Sequence, residues 1–253
     1  MAQQQSNRAR SCRYDAVLLD LDGTMMESAP GITASVKKAL AEMQWGMPEG
    51  FDYTRFIGPP IFDSLVRFAH MPPEKAEACI RLYRKHYNGG EIFNNSPYPG
   101  MTDLLALLRR SGTKVCVATS KPQPMAEVLL KHFHLDVWLA YIAGADISDR
   151  ESDKSILIRR CLEFCRIPPQ RAVMVGDTWY DAAGAQKTGV DFIGALYGYG
   201  KKEEMQAYGA ASFVNSVPEL VPLLFPTGAL GGSACLNGVY LSRGEENDGQ
   251  NHI

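Results

Sequence analysis

Five short apolar runs, each too even in hydrophobicity to be a half-exposed strand, constrain this chain most: "AVLLDLD" (16–22), "KVCVATS" (114–120), "VWLAYIAGAD" (137–146), "AVMVGD" (172–177) and "DFIGALY" (191–197). Val, Ile, Leu and Ala occur in them without polar alternation, which reads as strands covered on both faces. Between them lie stretches of helical period: "MTDLLALLRRSG" (101–112), "PMAEVLLKHFHL" (124–135), "SDKSILIRRCLEFCRI" (152–167) and "WYDAAGAQKTG" (179–189). Strand alternating with helix predicts an α/β fold, a doubly wound parallel sheet. Right-handed crossovers then gather the C-terminal ends of the strands along one edge, where such folds bind ligands.

One interval breaks the alternation. From about 28 to 97, "GITASVKKALAEM", "PPIFDSLVRFAH" and "PEKAEACIRLYRKHY" carry a helical period with no strand between them. This reads as an inserted helical cap (28–97) in an α/β core made of 12–27 and 98–225, with "NNSPYPG" (94–100) as a hinge. Residues 1–11 and the Gly-rich, then polar, 226–253 are expected to be flexible termini.

Composition narrows the chemistry. A formal charge of −2 gives no global reason to bind nucleic acid or an anionic membrane, so any phosphate binding is local. No apolar run reaches the roughly 18–20 residues of a membrane helix, and the first ten residues lack the apolar stretch of a secretory signal, so the cytosol is the expected compartment. Six scattered cysteines without C-x-x-C spacing fit reduced thiols. Cys161 and Cys165, one helical turn apart, are read as packing, since two ligands make no metal site. His70, His86, His132, His134 and His252 show no spacing of a metal site or triad.

The strand ends carry the polar groups. Asp20 and Asp22 close the first, Thr119 and Ser120 the second, and Asp177 the fourth, with Asp181 one helical turn beyond. Several carboxylates brought to one edge repel one another, and a divalent cation holds them ionised; oxygen-only ligands without His or Cys point to Mg²⁺. Asp20 is ionised at neutral pH and suited to attack phosphorus, giving an aspartyl-phosphate. Asp22, followed by Gly23 where the chain can turn, is placed to protonate a leaving alkoxide and then activate water. The Thr119 hydroxyl and the Ser120 backbone N–H would hold phosphoryl oxygens. A cation is needed as well: Lys154, at the start of a helix, is the expected one, and Lys121 is its rival. Gly23, Thr119, Ser120 and Lys154 are thus the expected substrate contacts. "FIGPP" (56–60) reads as a helix start, with Gly58 able to let the backbone approach a substrate, and the four potential positive charges of "RLYRKHY" (81–87) as a solvated face or an anion-recruiting one.

"DLDGT", "VATSKP", Lys154 and "GDTWYD", in this order, resemble the four motifs of the haloacid dehalogenase superfamily, and the helices inserted after the first resemble its small cap. "PGITASVKKAL", "FIGPPIFDSL", "YPGM" and "GALYGYG" are similar to its phosphoglycolate phosphatase and 5'-nucleotidase-like branch. The resemblance implies Asp20 as nucleophile, Asp22 as acid/base, Thr119 as phosphate ligand and Lys154 as charge clamp. It also implies Mg²⁺ held by the Asp20 carboxylate, the Asp22 carbonyl and Asp177, with Asp181 steadying a metal-bound water or Lys154. Glu27 departs from the branch, which usually has Asp there. The expected function is a Mg²⁺-dependent phosphatase of small phosphorylated metabolites such as phosphoglycolate or a nucleoside 5'-monophosphate. A sugar-phosphate mutase, or a low-turnover phosphate- or nucleotide-binding protein, is the alternative.

Overall fold

The computed structural model describes residues 11–146 and 153–226. The chain runs β1 (Ala16–Leu19), β2 (Met26–Glu27), α1 (Ala29–Glu42), α2 (Ile61–Phe68), α3 (Pro73–Asn88), β3 (Ser96–Pro97), α4 (Met101–Arg110), β4 (Lys114–Pro122), α5 (Gln123–His132), β5 (Tyr141–Ala145), α6 (Lys154–Cys165), β6 (Ala172–Gly176), α7 (Trp179–Thr188), β7 (Asp191–Ala195), α8 (Lys202–Gln206), β8 (Ser212–Val214) and α9 (Leu220–Leu224). The expected termini lie outside the described residues except at Ser11 and Pro226, as does Ser152, the first residue of the 152–167 stretch.

Six strands form one sheet in the order β5-β4-β1-β6-β7-β8, every neighbouring pair parallel. The apolar runs lack alternation because both faces are covered: Val17, Leu19, Val115, Val117, Val173 and Val175 join one core cluster, while Ala16, Leu18, Cys116, Ala118, Ala172 and Met174 join another. From β1 the chain winds out to β4 and β5, then crosses back to β6 on the other side of β1. The order of winding therefore reverses between β1 and β6, and the crevice at their C-terminal ends is where open α/β sheets bind ligands.

Three details depart from the sequence reading. The third run yields only Tyr141–Ala145, because its start is a 3₁₀ turn over Asp136–Trp138 that leaves Val137 58% exposed. The second continues to Pro122, with its register against β5 broken between Thr119 and Pro122, an irregularity that re-aims side chains at the strand end. And β8, only three residues long, has too little sequence to signal a strand.

Residues 29–93 add no strand to the sheet. α1 buries Ile32, Val36, Ala39 and Leu40, and α3 buries Ala76, Cys79, Ile80, Tyr83 and Tyr87, so each presents one apolar stripe and the two pack together. The chain enters and leaves this segment through β2 and β3, which pair antiparallel as Met26 with Pro97 and Glu27 with Ser96. The expected hinge at 94–100 thus contains a short ladder. Among the described residues no helix is long and apolar enough to cross a membrane.

Candidate active site

β1 ends at Leu19, and the Asp20 N–H still reaches the Val175 carbonyl at 2.9 Å, holding Asp20 against β6. The chain then turns at Gly23, whose φ of +90° and lack of a Cβ are both required: a side chain there would overlap the Asp177 carboxylate. The first and fourth strand ends are locked together at this point. Thr24 Oγ1 donates to Asp177 Oδ1 at 3.2 Å, and the Tyr199 N–H donates to Asp177 Oδ2 at 2.8 Å.

Lys154 is the first residue of α6, whose N-cap Asp153 accepts from the Ser155 N–H at 2.9 Å. Its stem lies over Gly184 of α7, where a Cβ would leave no room, and the side chain is 1% exposed. The ammonium meets Asp20 Oδ1 at 2.7 Å, Asp181 Oδ1 at 2.8 Å and the Ala118 carbonyl at 3.0 Å. Burial opposes its charge, but the Asp181 and Asp20 carboxylates more than offset that and raise its pKa. Asp181 Oδ2 also accepts from the Thr178 N–H at 3.1 Å and the Thr178 hydroxyl at 2.8 Å, so both its oxygens are engaged in capping α7 and holding Lys154.

Lys121, weighed as a rival to Lys154, has a separate place. Its ammonium, also buried, pairs with Asp22 Oδ2 at 2.7 Å, while the Ser28 hydroxyl donates to Asp22 Oδ1 at 2.6 Å. The two strand-end aspartates therefore face different cations. Nothing in the spacing of "ATSKP" foretold this pairing; Lys121 lies in the stretch where the register of β4 against β5 is broken. Thr119 Oγ1 accepts the Lys121 N–H at 3.1 Å, which orients the Thr119 side chain. Ser120 Oγ is buried and has no hydrogen-bond partner among the described residues.

Asp20, Asp177 and Asp181 each offer an oxygen within 4.8 Å of the others, all three buried. Two carboxylates at that separation repel by about 3–4 kcal/mol at an effective dielectric of about 20. Burial is the main reason that Asp20 is pushed up to about 7 and that Asp177 is raised well above the carboxylate range; neighbouring carboxylates raise both further, while Lys154 partly opposes the rise. If all three are ionised, the one Lys154 ammonium leaves a net charge of −2, which a divalent cation neutralises. The all-oxygen donor set suits Mg²⁺. The Asp22 carboxylate, engaged by Lys121 and Ser28, lies outside this group.

Asp20, Asp22, Thr119 and Ser120 share the wall of a cavity of about 50 Å³ with Phe56, Ile57, Gly58 and Arg84 of the helical segment. The loop before α2 reaches the sheet edge because Gly58, at φ +100°, lies on Thr178, where a Cβ would strike the Thr178 methyl. Sequence reasoning did not find Ser28, Tyr199, Phe56 or Ile57; of the helical-segment wall, Gly58 carried a signal as a Gly next to two prolines, and Arg84 as part of the positively charged 81–87 stretch.

The family model for haloacid dehalogenase-like hydrolases matches residues 17–195. The chain is 32% identical over 201 residues to a 5'-nucleotidase of Pseudomonas aeruginosa, covering 79% of this chain and 91% of that protein. It is 31% identical over 217 residues to a plasmid phosphoglycolate phosphatase of Cupriavidus necator, covering 83% of this chain and 93% of that protein. Over 187 residues it is 37% identical to the tyrosine-protein kinase PtkA of Mycobacterium tuberculosis, covering 74% of this chain and 64% of that longer protein. The structure superimposes on that of a predicted phosphatase from Clostridium acetobutylicum with a TM-score of 0.76 and 37% identity, covering 82% of this chain and 96% of the other. By its strand order, its four motifs and this match, the chain belongs to the haloacid dehalogenase-like hydrolase family.

Proposed function

We propose that this chain is a Mg²⁺-dependent phosphatase of small phosphate monoesters, acting through an aspartyl-phosphate on Asp20. The observation that carries the reading is the meeting of Asp20, Asp22, Thr119 and Ser120 on one cavity wall, with Lys154 bound to Asp20 from behind. Asp20 attacks phosphorus with the oxygen not held by Lys154. The Thr119 hydroxyl and the Ser120 N–H receive the phosphoryl oxygens, and Lys154 offsets their charge. Asp22, entering the step in its acid form and turned from Lys121 and Ser28, gives its proton to the departing alkoxide and then takes one back from the water that hydrolyses the acyl phosphate on Asp20. Asp20, Asp177 and the Asp22 carbonyl would hold Mg²⁺, which when bound neutralises charge on the transferring group. Asp181 orients Lys154 and lies in the same carboxylate cluster as Asp20 and Asp177.

In this reading residues 12–27 and 98–225 form the catalytic body and 28–97 a cap that closes over it, keeping water from the phosphoryl group. The names of the relatives, a 5'-nucleotidase and a phosphoglycolate phosphatase, support phosphomonoester hydrolysis and leave the leaving group open. Phosphate release by purified protein from a panel of phosphate esters tests the reading. Release is expected with Mg²⁺, and none with EDTA or with Asp20→Asn; undiminished release in that variant would refute it.

A further inference from the structure

A second cavity, of about 570 Å³, adjoins the loop that walls the active site, and Ile57 and Pro59 line both. Between those two residues Gly58 rests on Thr178, itself part of the second cavity's wall. The helical segment supplies Arg55, Arg67 and Phe68 to this cavity, and the α/β part supplies Trp179, Lys201 and Tyr208. Anything held between them ties the two parts of the chain together.

The lining has two chemical characters. Trp179 stacks on Tyr208 with ring centroids 5.9 Å apart, and with Phe68 these partly buried rings offer planar apolar surface. Arg55 lies over Phe68 at 4.3 Å, and Arg67 over Phe68 and Trp179 at 5.4 and 5.7 Å. A guanidinium over a ring keeps its charge, and the N–H groups at its edge can still meet an anion. Three cations, Arg55, Arg67 and Lys201, face two carboxylates, Asp52 and Glu204, so the wall is net positive. Asp52 Oδ1 is further engaged by the Thr54 N–H and hydroxyl at 2.9 and 2.6 Å.

Size separates this cavity from the one beside Asp20. Small-molecule sites measure roughly 300–1,000 Å³, whereas one water takes about 10–15 Å³. The cavity of about 50 Å³ beside Asp20 therefore admits a phosphoryl group and little more, while that of about 570 Å³ admits a ring system with a chain of anionic groups.

We infer that the larger cavity is a second ligand site, for a planar ring that carries two or more negative charges, as a nucleoside diphosphate does, and that its occupant slows turnover. The ring packs against the Trp179–Tyr208 pair while Arg55, Arg67 and Lys201 receive the anionic groups. With the ligand bridging the two parts, the loop at 57–59 stays against Thr178 and the active-site cavity stays small, which delays the exchange of substrate and product. The site stands apart from the phosphatase reading; only the effect on turnover rests on it.

Calorimetric titration of metal-free protein with α,β-methylene-ADP, whose terminal phosphorus is joined through carbon and offers no ester to hydrolyse, tests the site. The wild type and Asp20→Asn are expected to bind it equally, and the double variant Arg55→Gln/Arg67→Gln at least about tenfold more weakly, as for lost hydrogen bonds to charged groups. Adenosine and methylenediphosphonate, the ring and the charge alone, are each expected to bind more weakly than the analogue. With Mg²⁺, the analogue is expected to lower kcat for glycerol phosphate in the wild type and to leave unchanged the double variant, whose rate without it matches that of the wild type. A raised KM at constant kcat would place the analogue in the active site and overturn the inference. No binding, binding lost in Asp20→Asn, equal binding by the double variant or by methylenediphosphonate, or binding that leaves kcat unchanged also overturns it. Should the double variant not fold, Lys201→Gln decides by the same titration, and an unchanged affinity there overturns the inference. A wild type that binds the analogue as expected but hydrolyses no ester supports the site, and refutes the phosphatase reading together with the effect on turnover.

Discussion

Lys154 stands between Asp20 and Asp181 with 1% of its surface exposed, so its removal leaves buried carboxylates without a counter-charge. Breaking a buried pair from one side costs about 3–5 kcal/mol. Lys154→Met is therefore expected to lower stability to urea by that order in metal-free protein, and Mg²⁺ is expected to restore part of the loss. A fall below about 1 kcal/mol would show that the carboxylates had other partners. Asp22 presents a different case. Asp22→Asn is expected to slow hydrolysis of alkyl phosphates by about 10²- to 10⁴-fold, and that of an aryl phosphate with a good leaving group much less, since the good leaving group needs no proton. Equal slowing of both, measured as kcat, would place Asp22 outside proton transfer. The places of Asp20, Asp22, Thr119 and Lys154 were legible because each sits at a strand end or a helix start that an apolar run or a helical period locates. The pairing of Lys121 with Asp22 was not, since it depends on where a broken register turns one side chain.

The element that leads from the sheet into the helical segment is the β2–α1 junction, and Tyr199 secures it. Its hydroxyl accepts the Ser28 and Ala29 N–H groups at 2.8 and 2.9 Å and donates to Glu27 at 3.1 Å, while its own N–H holds Asp177. Glu27, the departure from the branch pattern, thus contacts the tyrosine that holds the start of α1. Tyr199→Phe leaves two N–H groups at the start of α1 without this acceptor, at an expected cost of about 1–3 kcal/mol. If the junction works as a hinge, kcat and KM change together in this variant; an unchanged kcat would mean that the junction is a static brace. The contacts of Tyr199 were not legible, because a Tyr hydroxyl that reaches a helix start some 170 residues away leaves no local pattern. The longer strands were legible as even apolar runs and the larger helices by their helical period; β2, β3 and β8 were too short to show either.

For the molecule as a whole, the buried carboxylates set a dependence on pH. Asp20, pushed up to about 7 mainly by burial, and Asp177, also raised, bind protons in the folded state that the unfolded chain has already released above about pH 4. The unfolded state then binds fewer protons than the native state, so the stability of metal-free protein falls as pH rises toward 7. Asp15, Glu42 and Glu219, exposed and lowered by their partners, act in the opposite sense, but only below about pH 5, where their unfolded forms titrate. Between about pH 5 and 7 the urea midpoint of metal-free protein should fall, and added Mg²⁺ should raise it more at pH 7 than at pH 5. A midpoint that rises across this window without metal would contradict the account of the carboxylate cluster.

The central claim is that phosphate passes through Asp20. Its most direct test is a rapid acid quench of the wild type during turnover, followed by digestion and mass spectrometry of the peptide that contains Asp20. The account predicts a phosphoryl group on that aspartate, present with substrate and Mg²⁺ and absent in Asp20→Asn. Turnover with the phosphoryl group on another residue, or undiminished turnover in Asp20→Asn, would contradict it.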